Sequence, residues 1–185
     1  MKIAATLHHM NTPKSFSNDR MLSLAAFLIS IGTFMVYIYE ARLLQKQQYA
    51  SALPYLELVN SSGADYYRLI LVNNGIGPAF ISDVRVHYKD KVFSGDHVNF
   101  YEKNIYPTDT IHFAYANIGP GRVIPAGKEV ELITISNSKK DAAKLRKLFG
   151  NQTARLEVTY SSVYEETWQL RGITGMSDTP RKIDD

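Results

Sequence analysis

The chain has 185 residues, 45% of them hydrophobic and 21% charged, with no cysteine, which excludes a collagen, a long coiled coil, a disulfide-stapled miniprotein and a zinc site built on thiolates. A formal net charge of +3 and an isoelectric point near 9.0 are too mild to argue for nucleic acid as a partner. The mean hydropathy of −0.20 suits a soluble protein, so one strongly apolar block predicts a single membrane span rather than a polytopic protein.

Residues 1–20 contain Asn11, Thr12, Pro13, Ser15, Ser17 and Asn18 and lack a periodic apolar face, which predicts a flexible tail. The adjacent pair His8-His9 in such a tail makes no case for a metal. Residues 21–39, opening on Met21 and closing on Tyr39, carry no charge. As a helix rising ~1.5 Å per residue they reach ~28 Å, close to the ~30 Å hydrocarbon core of a bilayer. A secretory signal peptide has a shorter apolar core with a small-x-small site close behind it. Here Glu40, Ala41 and Arg42 follow, and Ala50-Ser51-Ala52 lies too far on, so the block reads as an uncleaved anchor in the lipid bilayer. A buried helix of a soluble protein would instead need apolar partners on all sides of Leu22, Phe27, Ile29, Phe34 and Val36. Lys2, Lys14 and Arg20 precede the span, and Arg42 and Lys46 follow it. That excess predicts a cytoplasmic N-terminus and a periplasmic or extracellular C-terminal domain.

Residues 40–54 read as a helical stalk, because Glu40 to Gln48 are nearly all good helix formers and Pro54 disfavours helix in the residue before it. One helix from about residue 19 to about residue 50 is expected.

From Tyr55 the period changes to two, and residues 55–173 form the predicted domain. Tyr55, Leu56, Leu58 and Val59 make a first strand, and Asn60-Ser61-Ser62-Gly63 reads as a turn. Residues 66–72 form a central strand, apolar on both sides, ended by Asn73-Asn74-Gly75-Ile76-Gly77-Pro78. Residues 79–89 alternate clearly, with Val84, Val86 and Tyr88 against Asp83, Arg85, His87 and Lys89. A short strand at Val92-Phe93, an irregular stretch over residues 94–110, a strand over 111–115, two Gly/Pro loops and a strand over 129–136 follow. Ser138 and Asp141 fit a capping box, Ala142, Leu145, Leu148 and Phe149 give an apolar face, and Gly150 suits a left-handed C-terminal cap. Residues 153–160, with Leu156, Val158 and Tyr160 facing in, and residues 164–171, with Leu170 and with Trp168 expected to be the most sensitive core site, close a hairpin. Residues 174–185 read as a flexible tail. The fold class expected is mainly β: a transmembrane helix and helical stalk, then an immunoglobulin-like antiparallel β-sandwich with one short helix. A small antiparallel barrel is the alternative.

Arg68 to Ala79 (Arg-Leu-Ile-Leu-Val-Asn-Asn-Gly-Ile-Gly-Pro-Ala) followed by Val84-Arg85-Val86 resembles the strand–turn–strand of bacterial immunoglobulin-like adhesion-type domains over about 20 residues. The resemblance implies a sandwich and no particular activity.

Chemistry is harder to find. His-Glu-x-x-His, Gly-x-Ser-x-Gly and a phosphate loop ending Gly-Lys-Ser/Thr do not occur, and Gly75-Ile76-Gly77 lacks the third glycine of a dinucleotide fingerprint. Glu165-Glu166, adjacent on a strand, would point to opposite faces and cannot work as a carboxylate pair. His87 reads as a solvated histidine. Asp96, His97, Asp109 and His112 could converge as oxygen and nitrogen ligands. The sequons at Asn60 and Asn151 read as chance in a chain without disulfides. No motif implies a catalytic residue or a cofactor. The most suggestive polar feature is the basic helix carrying Lys139, Lys140, Lys144, Arg146 and Lys147, a possible contact surface for anions or else a solvated outer face.

The reading these features favour is a single-pass membrane-anchored binding or assembly protein whose sandwich contacts a protein partner or envelope component. A membrane-tethered small-ligand sensor or metal-dependent enzyme using residues 94–125 is the alternative. A pilin-like subunit is a further one, against which Arg20-Met21-Leu22-Ser23 lacks the processing site and Glu40 stands at the wrong end.

Overall fold

The computed structural model describes residues 16–106, 110–150, 153–173, 176–177 and 179–183. The chain divides into two compact units, residues 1–46 and 47–185.

The first unit is the helix α1 (Phe16–Ser51), which carries on into the second unit for its last residues. Its start lies a few residues ahead of the expected one, inside the stretch read as tail; residues 1–15 lie outside the described residues. Leu22, Ile29 and Met35 are 76%, 69% and 67% exposed, so the described residues leave these apolar side chains uncovered. The hydroxyls of Ser23, Ser30 and Thr33 donate to the carbonyls of Asp19, Ala26 and Ile29, each at 2.8 Å. These three hydroxyls are thus satisfied within the helix, which a hydrocarbon surrounding would require. Residues Asn18–Ser51 are long and apolar enough to cross a membrane.

Taken whole, the chain is mixed helix and strand; its strands lie in the second unit, with two short helical segments among them. The elements of that unit are β1 (Leu56–Ser62), β2 (Tyr67–Asn73), β3 (Ala79–Tyr88), β4 (Lys91–Ser94), α2 (His97–Asn104), β5 (Ala114–Tyr115), β6 (Val123–Ile124), β7 (Glu129–Ile135), α3 (Lys139–Leu145) with a π-helical turn Arg146–Gly150, β8 (Ala154–Ser161), β9 (Thr167–Ile173), β10 (Met176–Ser177) and β11 (Arg181–Ile183). Two antiparallel sheets result. One runs β1-β2-β7-β5; the other runs β10-β9-β8-β3-β4, with β6 on β3 and β11 on β9. Their buried residues form one cluster, in which Leu56, Leu71 and Ile133 of the first sheet join Val86, Val158 and Leu170 of the second, with Phe100, Leu145 and Phe149 from the helical segments.

Two bulges keep the apolar residues on one side. In β3, Ile81 pairs with Tyr160 and Asp83 with Thr159, so Ser82 is the extra residue, and its hydroxyl donates to the Thr159 carbonyl at 3.1 Å. The inward set therefore changes from Ala79 and Ile81 to Val84 and Val86. In β7 the pairings Leu69–Ile133 and Ile70–Glu131 leave Leu132 as the extra residue, and Leu132 and Ile133 are both buried.

Several expectations are corrected. Asn60, Ser61 and Ser62 stay in the β1 ladder, opposite Leu69, Arg68 and Tyr67, and the turn starts at Gly63. β2 is central, as expected, between β1 and β7; Tyr67, Leu69, Leu71 and Asn73 are buried on one face, and Ile70 and Val72 are half-buried on the other beside exposed Arg68. The stretch read as irregular contains α2. The expected strand over 111–115 shrinks to Ala114–Tyr115. Gly150 closes the π-helical turn without a left-handed φ. Glu165 and Glu166 belong to the turn before β9 and not to a strand. Trp168 is only half-buried at the rim of the core, whereas Tyr67, Tyr160 and Leu170 are fully buried. The C-terminal residues read as a tail include β10 and β11, both paired with β9.

Candidate functional site

The stretch between β4 and β6 is stitched together by two side chains. Asp96 is buried and caps α2: its Oδ1 accepts from the backbone N–H groups of Val98 at 3.1 Å and Asn99 at 3.0 Å. Its Oδ2 accepts from the N–H of Ile118 at 3.1 Å, which ties the far end of the loop to the helix start. One turn along, the Tyr101 hydroxyl accepts from the Ile111 N–H at 2.7 Å and donates to the Ile111 carbonyl at 3.2 Å. With Ile111 fixed, the extended chain sends Phe113 and Tyr115 to one side of the loop. Val98, Tyr101 and Glu102 share one face of α2, by their three- and four-residue spacing.

These two faces enclose a pocket of about 310 Å3, lined by Val98, Tyr101, Glu102, Tyr106, Phe113 and Tyr115. The rings meet edge to face: Tyr101–Phe113 at 5.0 Å, Phe113–Tyr115 at 6.1 Å and Tyr101–Tyr106 at 6.4 Å between centroids. Tyr101 and Val98 are buried, while Tyr106 and Tyr115 are each 53% exposed at the mouth. Glu102 is exposed and has no ion-pair partner among the described residues. Sequence reasoning named residues 94–125 as the region of a possible ligand site but singled out none of these lining residues; the signal for them was the density of aromatics between residues 100 and 115.

Of the four residues considered as metal ligands, the three that are described, Asp96, His97 and His112, form no metal-holding group. Asp96 is occupied by its three backbone donors. His97 is fully buried and donates from Nε2 to the Leu132 carbonyl at 2.6 Å, leaving Nδ1 without a partner among the described residues. Burial holds its imidazole below the ordinary histidine range, opposed by the neighbouring Asp96 charge and by the bond to Leu132. His112 is exposed, and Asp109 lies outside the described residues, as do His8, His9 and Asn151. Among the described residues no group of three or more His, Asp or Glu is placed to hold a metal ion.

His87 is not simply solvated. Its Nε2 lies 3.0 Å from Oε2 of Glu157, a carboxylate only 3% exposed, which also accepts from Arg171 Nε at 2.5 Å. This cluster joins β3, β8 and β9 and holds a buried charge in a paired state.

The basic helix divides into parts. Lys139, Lys140 and Lys147 are exposed, whereas Lys144 and Arg146 are half-buried. Arg146 donates to the Gly63 carbonyl, so it braces the turn between β1 and β2 instead of offering a free charge. Ser138 caps the helix as its sequence indicates, accepting from the Asp141 N–H at 3.3 Å and donating to the Asp141 carboxylate at 2.9 Å.

The Asn73-Asn74-Gly75 segment behind the family resemblance is a structural corner. Asn73 is fully buried with every side-chain bond in place. Its Oδ1 accepts from the N–H groups of Tyr55 at 3.1 Å and Gly75 at 3.0 Å, and its Nδ2 donates to the carbonyls of Gly77 at 2.9 Å and Ile124 at 3.0 Å. A Cβ on Gly75 or Gly77 would run into the backbone of Leu53 or Ala52, so glycine is required there by close approach.

Compared with protein-family models, with curated proteins and with solved structures, the chain has no match.

Proposed function

We propose that this is a single-pass membrane-anchored binding or assembly protein, and that its recognition site is the aromatic pocket between α2 and β5. The observation carrying this reading is the pocket itself, with two half-exposed tyrosines at its mouth and, on its wall, a carboxylate without an ion-pair partner among the described residues. Large aromatic rings left open to water beside a formed cavity are the usual composition of a recognition surface. In this reading α1 crosses the bilayer with its N-terminus in the cytoplasm, and the domain faces the periplasm or cell exterior. The domain is read as a β-sandwich of immunoglobulin-like kind, supported by two antiparallel sheets sharing one buried cluster. The occupant is a protein partner or an envelope component.

The alternative of a small-ligand sensor draws on the same pocket, since about 310 Å3 sits at the lower end of the ~300–1,000 Å3 typical of small-molecule sites. Membranes solubilised in a mild neutral detergent separate the two. An assembly protein migrates in a complex larger than its own micelle, and Tyr106→Ser with Tyr115→Ser releases it. Migration as a lone chain in the native protein would contradict assembly.

A further inference from the structure

The chemistry of the pocket specifies a class of ligand. Its walls carry the rings of Tyr101, Tyr106, Phe113 and Tyr115, and among the described residues Glu102 is the one carboxylate that lines it. Aromatic faces carry negative potential and attract cations, most strongly when water is excluded. An anion would meet both the rings and the carboxylate and be repelled. A neutral apolar molecule would cover the rings but leave the charge of Glu102 without a counterpart in the ligand. A compact organic cation satisfies both, since its alkyl groups contact the rings and its charge faces Glu102. Lys103 follows Glu102 in sequence, but a helix turns adjacent residues ~100° apart, and Lys103 does not line the pocket.

We propose that this pocket binds an alkylated ammonium group, with Tyr106 and Tyr115 closing over it and Glu102 as counter-charge. The proposal rests on the reading of the pocket as a recognition site, and names what that site takes. The same group could come from a free quaternary amine or from the head group of a membrane lipid.

The test uses the full chain purified in a maltoside detergent, which carries no ammonium group. Choline is titrated by calorimetry or by ligand NMR line broadening against 3,3-dimethylbutan-1-ol, its neutral isostere. Choline should bind at least about 10-fold more tightly, a difference of about 1.4 kcal/mol. Glu102→Gln should bring the two within about 3-fold of each other, and Tyr115→Leu should weaken choline specifically. Thermal melts of both variants, at positions exposed to solvent, should match the parent, so that lost binding is not lost folding. Nanodiscs of phosphatidylcholine that compete with choline would assign the head group as source; failure to compete would assign the free amine. Equal binding of choline and its isostere, or no binding of either, would overturn the proposal. If neither binds and yet the Tyr106 and Tyr115 serine variants still release a larger complex, the ligand class is wrong while the recognition site stands.

Discussion

Asn73 shows how much one side chain can hold. Its four hydrogen bonds connect the start of β1, the 75–77 corner and β6, all without exposure to water. Removing it strands buried carbonyls and N–H groups, each costing about 1–3 kcal/mol. Asn73→Ala should therefore lose about 3 kcal/mol or more, a large share of the ~5–15 kcal/mol that stabilises an ordinary domain. Asn73→Asp keeps the shape but turns the two donors into acceptors facing carbonyls, so it should be comparably damaging in a urea melt. A mild Asp variant would show that shape, and not bonding, is what the corner needs. His97 gives a pH dependence at the same scale. Its imidazole stays neutral in the folded protein because burial disfavours the charged form. The unfolded chain, with an ordinary histidine pKa near ~6.5, takes up a proton first as pH falls, so it binds more protons than the native state. This contribution to stability is complete above about pH 6.5 and is lost as pH drops below that value toward the depressed folded one. His97→Gln, which can still donate to the Leu132 carbonyl, should flatten the acid limb of stability against pH. An unchanged acid limb would mean that other groups govern it.

At the scale of elements, α3 separates charges that brace from charges that only solvate. Arg146→Ala should cost about 1–3 kcal/mol through loss of its bond to the Gly63 carbonyl, while Lys139→Gln, Lys140→Gln and Lys147→Gln should each stay within about 0.5 kcal/mol. Melting temperatures of the four variants check this directly, and equal effects would contradict it. The strands were legible where one period persisted, as in Leu156, Val158 and Tyr160 of β8. They were less so at the bulges, where the inward set changes parity between Ile81 and Val84 and between Leu132 and Ile133, a shift that pairing with a neighbouring strand decides. α2 was hidden because Asp96, Asn99 and Asn104 favour loops locally, whereas burial of His97, Val98, Phe100 and Tyr101 outweighs that preference. The lining of the pocket, inside the 94–125 region named as a possible ligand site, stayed unidentified with it, since Glu102 joins Phe113 and Tyr115 only after Tyr101 has fixed Ile111. β10 and β11 offered too few residues for any period to show. Ser138 and Asp141, by contrast, announced the start of α3, because a capping box is chemistry of neighbours in sequence.

For the whole molecule, the second unit begins at Gln47 and contains the segment held by the 75–77 corner: the N–H groups of Ile76 and Gly77 donate to the Leu53 carbonyl at 3.1 and 3.2 Å. Tyr49 also meets Tyr164 edge to face at 4.7 Å. A fragment of residues 47–185 should be soluble and melt cooperatively, and one starting at Tyr55 should melt at a lower temperature; equal melting would show that residues 47–54 add nothing. The lack of native cysteine makes topology direct to measure, because single cysteines can be placed at Lys2 and Lys139 on a silent background. In intact cells an impermeant maleimide should label position 139 and spare position 2, and the reverse pattern would invert the orientation. The central claim, recognition through the α2–β5 pocket by a membrane-anchored chain, is tested most directly by site-specific photocrosslinking in native membranes. A photoreactive phenylalanine in place of Tyr115 should give a discrete adduct that the same group at Lys139 does not, and adducts absent from position 115, or indistinguishable between the two positions, would contradict the account.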